Sequence, residues 1–291
     1  MQLYSLTMLV LLLLSCGPKE SDEITINTIE KHTKPEFVKK HSEINESANT
    51  LKERFNPPAG FEREDVNSNT FEYFLSNYKL KPHGSLVKYY NGTIKQAAGI
   101  YIAVLDIDVG KKDLQQCADA IMRLRGEYLY SHKKYDNLSF NFTSGFKCEY
   151  SKWKDGFRPV IKGNNVSWVK SKEYSVEYAS FREYMDMVFM YAGTLSLSKE
   201  LKKVNFSEMQ TGDVLIIGGS PGHAVVVMDM AIEKSTGKKV YMLAQSYMPA
   251  QDIQLLLNPL NNSAWYELNI ENDFIQTPEW KFTIQDLKRF V

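Results

Sequence analysis

The chain has 291 residues, 43% of them hydrophobic, which is ample for one large domain or two small ones. Its 35 basic side chains are matched by 35 acidic ones. The balance leaves no electrostatic footprint for nucleic acid, and that class of partner is excluded.

Residues 1–15 carry no charge, and residues 6–14 are almost wholly aliphatic. That run is too short to cross a bilayer but suits the core of a signal peptide. It ends in Leu13-Leu14-Ser15-Cys16, which resembles a bacterial lipobox, although no Lys or Arg precedes the apolar run. The resemblance implies cleavage before Cys16 and diacylglycerol on its sulfur. The expected protein is exported and held in the bacterial cell envelope by its lipid, on the periplasmic or surface face of the outer membrane. Residues 16–50 are polar, charge-dense and poor in aromatics, and read as a tether.

A single globular domain is expected over residues 51–291. It opens on the proline-stiffened segment 54–61. A short amphipathic helix follows over 70–75, then a hairpin turned at Asn91-Gly92 and a strand over 100–109. Asp113 can cap a helix, with Gln116 reaching back three residues later. Leu114, Cys117, Ile121, Leu124 and Tyr128 then form one apolar stripe at helical spacing. Cys117 thereby falls in the first turn of a helix, where the dipole lowers a thiol pKa and free N–H groups can hold an oxyanion. Because the same residue lies on the stripe, simple burial is the competing reading. Asp119 and Arg123 have the spacing of a surface pair.

Cys148 alternates with Phe146 and Tyr150 as a packed strand residue. A Cys117–Cys148 disulfide is the alternative state in an oxidising compartment, and it would silence a nucleophile. A capping box at Ser180-Phe181-Arg182-Glu183 opens a helix running to Ala192.

Thr211-Gly212-Asp213 leads into the apolar run 214–217. Gly218-Gly219-Ser220-Pro221-Gly222 is a turn, and His223 opens a second apolar run to Met228. A third strand over 239–246 carries Gln245 among apolar neighbours. These three strands are expected to be consecutive and antiparallel, because short turns cannot make a parallel crossover. Histidine on one strand and a side-chain amide on the next suggest an oriented general base, with the Cys117 helix packed across the sheet. Residues 247–252 form a loop beside Gln245, and Trp265 with Tyr266 either line a cleft or simply fill the core. A last strand is expected over 280–282 and a C-terminal helix from Thr283. No repeat, dinucleotide glycine pattern or metal-ligand spacing is present, so no metal or cofactor is expected.

The strings 113–120, 123–125, 221–224 and 243–251 resemble an uncharacterised family of bacterial lipoproteins, a domain of unknown function, over residues 54–266. More distantly, four features in this order resemble cell-wall cysteine hydrolases of the NlpC and CHAP types: Cys at a helix start, Gly-Asp before a strand, Gly-His at the next, and a polar residue on the third. That resemblance implies an α+β, papain-like fold with Cys117 as nucleophile, His223 as base and Gln245 as orienter. Gln116, Tyr247 and Trp265 would touch substrate, and peptidoglycan peptides would be the partner. Gln116 stands where those enzymes usually have an acidic neighbour, and the insert between Cys117 and His223 is longer than theirs. The alternative is a non-catalytic envelope lipoprotein that keeps the fold and uses its cleft for binding.

Overall fold

The computed structural model describes residues 44–291. The expected signal peptide, the expected lipid-bearing Cys16 and the expected tether as far as residue 43 lie outside the described residues. In chain order the elements are α1 (Leu51–Arg54), α2 (Phe71–Ser76), β1 (Tyr101–Val104), α3 (Cys117–Ser131), β2 (Ser139–Asn141), β3 (Lys147–Glu149), α4 (Tyr150–Lys154), β4 (Phe157–Lys162) and β5 (Asn165–Lys170). They continue with α5 (Tyr178–Tyr191), α6 (Thr194–Glu200), β6 (Lys202–Lys203), β7 (Val214–Ile217), β8 (His223–Glu233) and β9 (Lys238–Gln245). The chain ends through β10 (Gln254–Leu256), β11 (Tyr266–Glu267), β12 (Phe274–Gln276), β13 (Lys281–Thr283) and β14 (Leu287–Arg289). The architecture is α+β around one mainly antiparallel sheet in the order β1-β10-β9-β8-β7-β14-β6, with β11 on the outer half of β9. Among the described residues no helix is long and apolar enough to cross a membrane.

The centre of this sheet is the expected hairpin pair. β7 and β8 are antiparallel with Ile217 opposite His223, and β8 and β9 are antiparallel with Val226 opposite Ala244. These strands read as nearly unbroken apolar runs because both of their faces are covered. Val214, Ile216, Ala224, Val226 and Met228 face a core shared with α3 and α5. Leu215, Val225, Val227 and Leu243 face a second core with Phe282 and Leu287. Period-two alternation therefore splits one hairpin between two cores, and it places His223 and Gln245 with the second set. α3 packs on the first face. The helix lies across that face as expected, and its N-terminal turn meets the histidine at the end of the strands.

Several boundaries also differ from expectation. Residues 44–50 belong to the folded unit: Ile44 bridges Phe55, and the buried Arg54 guanidinium donates to Ala48 O at 2.8 Å. α3 starts at Cys117 because Asp113 is drawn elsewhere, its Oδ1 accepting from the Ala250 N–H at 2.7 Å. Asp119 Oδ2 accepts the Gln116 N–H at 3.1 Å, so the cap lies three residues downstream of the expected one. Asp119 and Arg123 are buried, and Arg123 pairs with Glu127 at 2.6 Å. α5 starts at Tyr178 because the Ser180 hydroxyl is taken by the Trp153 indole N–H. The turn at Asn91-Gly92 forms, closed by the Tyr89 N–H on Thr93 O, but its arms make only a single bridge. The strand expected over 100–109 is limited to β1. The C-terminal helix lasts one 3-10 turn before β14, where Leu287 is buried and Arg289 binds Asp213 at 2.6 Å.

Candidate active site

Cys117 is the first residue of α3, where N–H groups have no acceptor within the helix. The loop before it is tied to the end of β9, since Ser246 Oγ donates to Gln115 O at 3.2 Å. His223 is the first residue of β8, set rigidly by the ladder with Ile217. The turn between β7 and β8 requires its glycines. A Cβ on Gly222 would stand 2.4 Å from Gly219 O and 2.6 Å from Thr194 Oγ1. Cys117 and His223 line one cleft of about 470 Å³, together with Gln116, Asp119, Tyr247, Met248 and Trp280.

Behind the histidine runs a relay of polar groups. His223 Nε2 donates to Gln245 Oε1 at 2.8 Å, and Gln245 Nε2 donates to Glu279 Oε2 at 2.6 Å. Lys95 Nζ donates to both Glu279 oxygens, at 2.9 and 2.8 Å. Nδ1 is thus the ring nitrogen left for chemistry. The imidazole sits among rings, with Tyr247, Trp280 and Phe282 centred 4.9, 5.1 and 6.0 Å away.

Burial governs the electrostatics. It lowers the His223 pKa from 6.5 to about 4, helped by Lys95 and opposed by the Gln245 hydrogen bond and by Glu279. It raises the Cys117 thiol from 9.0 to about 11, with the Asp119 carboxylate acting in the same direction. The N–H groups of Ala118, Ala224 and Cys117 pull the thiol back down. The Ala224 contribution places the sulfur beside the residue that follows His223. Asp119 is itself raised from 3.8 to about 8, because burial outweighs the N–H groups of Gln116 and Asp119. The helix terminus therefore does not lower this thiol as the sequence suggests; desolvation and a neighbouring carboxyl outweigh it.

The gap between about 11 and about 4 corresponds to roughly 10 kcal/mol against moving the proton from sulfur to imidazole. Attraction between the two charges would return at most about 4 kcal/mol even at a separation of about 4 Å and an effective dielectric of about 20. The resting pair is neutral thiol and neutral imidazole. Such a pair can do general-base chemistry, with the proton leaving sulfur as the bond forms.

The fold brings Cys117, His223, Gln245, Gln116 and Tyr247 to one place. Trp265 is not among them: it is buried on the first core, its indole N–H donating to Asn56 O at 3.0 Å, and the assignment as a substrate residue is corrected. Trp280 takes the position at the cleft. Sequence reading missed Glu279 and Lys95 entirely, since nothing local marks two charged residues 184 positions apart as partners. Cys117 and Cys148 are both free thiols, and Cys148 is buried in β3 opposite Phe140. Among the described residues no group of three or more His, Cys, Asp or Glu could hold a metal ion.

No curated protein and no solved structure matches the chain. The family model described as Domain of unknown function (4846) matches residues 51–289, and the chain belongs to that family.

Proposed function

We propose that this protein is a lipid-anchored thiol hydrolase or acyl transferase of the bacterial cell envelope, with a papain-like active site that acts on amide bonds of cell-wall peptides. The observation that carries this reading is that Cys117 and His223 line one cleft, with Gln245 on Nε2 and Nδ1 left free. In the reaction the Cys117 sulfur attacks the amide carbonyl while Nδ1 takes the thiol proton. The imidazolium then gives that proton to the departing amine as the C–N bond breaks, leaving a thioester. Water, or an acceptor amine in a transferase, attacks the thioester and restores the thiol. Free N–H groups at the start of α3 supply donors for the oxyanion. Gln116 and Tyr247 on the cleft wall are the substrate contacts. The envelope address rests on Leu13-Leu14-Ser15-Cys16, and Cys16→Ala is expected to release the protein from membranes and abolish lipid labelling.

One observation favours a second reading, a binding module that keeps the fold. The Cys117 thiol lies against the protein body, and this burial pushes its pKa up, as in a packed cysteine. The two are separated by incubating the protein with peptidoglycan-derived peptides, using Cys117→Ser as control, and by comparing iodoacetamide labelling of Cys117 and Cys148. Turnover lost in Cys117→Ser, with Cys117 labelled first, supports the enzyme. Peptide binding without turnover, and Cys117 labelled no faster than Cys148, supports the binding module.

A further inference from the structure

An amide is a two-faced orienter. A carboxylate beside a histidine can only accept, so it fixes which ring nitrogen carries the proton. Gln245 can present either its oxygen or its NH2 to His223 Nε2, and the two choices select opposite tautomers. With the oxygen facing the ring, Nε2 carries hydrogen and Nδ1 is a base. With the NH2 facing it, Nε2 must accept and Nδ1 carries the hydrogen, where it cannot take a proton from a thiol.

The choice is made one step further out. Glu279 accepts from Gln245 Nε2 at 2.6 Å, and a carboxylate offers no donor to the amide oxygen. Gln245 is buried, and Glu279 is the partner of its NH2 group. Lys95, only 7% exposed, holds both carboxylate oxygens and so fixes the position of Glu279 as well as balancing its charge. Resting on the thiol-enzyme reading above, we propose that Glu279, clamped by Lys95, is the positioning residue that sets the Gln245 amide and through it the His223 tautomer that makes Nδ1 a base. Glu279 touches neither substrate nor sulfur in this scheme.

Removal of the carboxylate alone leaves the Lys95 ammonium without its partner and near the amide. Its best remaining acceptor is Gln245 Oε1, which draws the oxygen away from the ring and turns the NH2 toward Nε2. Glu279→Met, apolar and similar in length, is therefore expected to invert the tautomer. The test is 15N NMR of histidine-labelled full-length protein, read with the rate of Cys117 alkylation by iodoacetamide. In the wild type, His223 should carry its hydrogen on Nε2; in Glu279→Met it should move to Nδ1, with alkylation at least tenfold slower. Should Glu279→Met fail to fold, Glu279→Ala with added formate gives the same test, and formate should restore both the tautomer and the rate. A wild-type tautomer retained in Glu279→Met, or no recovery of Glu279→Ala with formate, would overturn the proposal. The ring nitrogens report independently of turnover. A tautomer that follows Glu279 while Cys117 labels no faster than Cys148 would leave this inference standing and remove the enzyme reading.

Discussion

Replacing His223 with alanine tests whether the neutral pair is a chemical unit. A thiol with a pKa of about 11 is ionised to about one part in 10,000 at pH 7, so without a base it reacts through that fraction alone. Removing the ring also admits water and relaxes the burial that raises the thiol. Even a full return to 9.0 leaves about 1% thiolate. On the proposed mechanism the wild type does not depend on this population, because His223, with its pKa lowered to about 4, is available as a base across the neutral range. Wild-type alkylation by iodoacetamide should therefore be nearly flat from about pH 5 to 9 and fall toward pH 4. His223→Ala should be roughly 100- to 10,000-fold slower at pH 7, gain about tenfold per pH unit, and approach the wild type only in strong alkali. Stopped-flow alkylation with peptide mapping reads this directly. Equal rates and equal slopes in the two proteins would refute the reasoning. Cys148, buried and with its thiol raised further by desolvation, should stay unlabelled in the folded protein.

Three further substitutions probe the scaffold. Gly222→Ala sets a methyl group against Gly219 O, Thr194 Oγ1 and Ile217 O, all nearer than 3.0 Å; it should cost about 1–3 kcal/mol in chemical denaturation and slow Cys117 labelling by displacing His223. Trp280→Ala opens the cleft to water and should move the acid limb of the labelling profile from about 4 toward 6.5, whereas Trp265→Ala should cost about 3–5 kcal/mol of stability and leave that limb in place. Asp119→Asn removes a carboxyl whose native pKa lies above its unfolded one, so the native wild type binds the extra proton between about pH 3.8 and 8 and loses relative stability across that window. The variant should match the wild type near pH 4 and exceed it by up to roughly 5 kcal/mol above pH 8 in urea unfolding, and its thiol should titrate lower.

The hairpin was readable from sequence because strands covered on both faces leave unbroken apolar runs, and a turn of three glycines and a proline leaves no other place for the reversal. His223 and Gln245 stood out for the same reason: they are polar groups interrupting runs that are otherwise apolar. Boundaries set by tertiary partners were not readable. Asp113 has every local mark of a helix cap, and only the distant Ala250 N–H explains why it is not one. Trp265 and Trp280 are alike in sequence. Their difference is decided by which indole finds a carbonyl inside the core and which is left beside an imidazole. Alternation sends His223 to the face opposite Ala224 and Val226, on which α3 packs, so helix and histidine meet only at the ends of the strands.

Two carboxyl groups bracket the site, and their surroundings give them opposite consequences. Glu279 has a cation on both oxygens and an amide donor on one, so its charge is used to align a neutral relay without entering the cleft. Asp119 has an N–H on Oδ2 and no partner on Oδ1, and its charge, when present, opposes that of the thiolate. A free thiolate next to an uncompensated carboxylate in a desolvated cleft is the costliest arrangement available, so burial favours the protonated form of both groups. In the proposed reaction, attack coupled to proton transfer avoids that state, because no free thiolate forms beside Asp119. The tautomer of His223 is then the decisive variable, since a base poised only for a neutral thiol must have its lone pair on the correct nitrogen before substrate arrives.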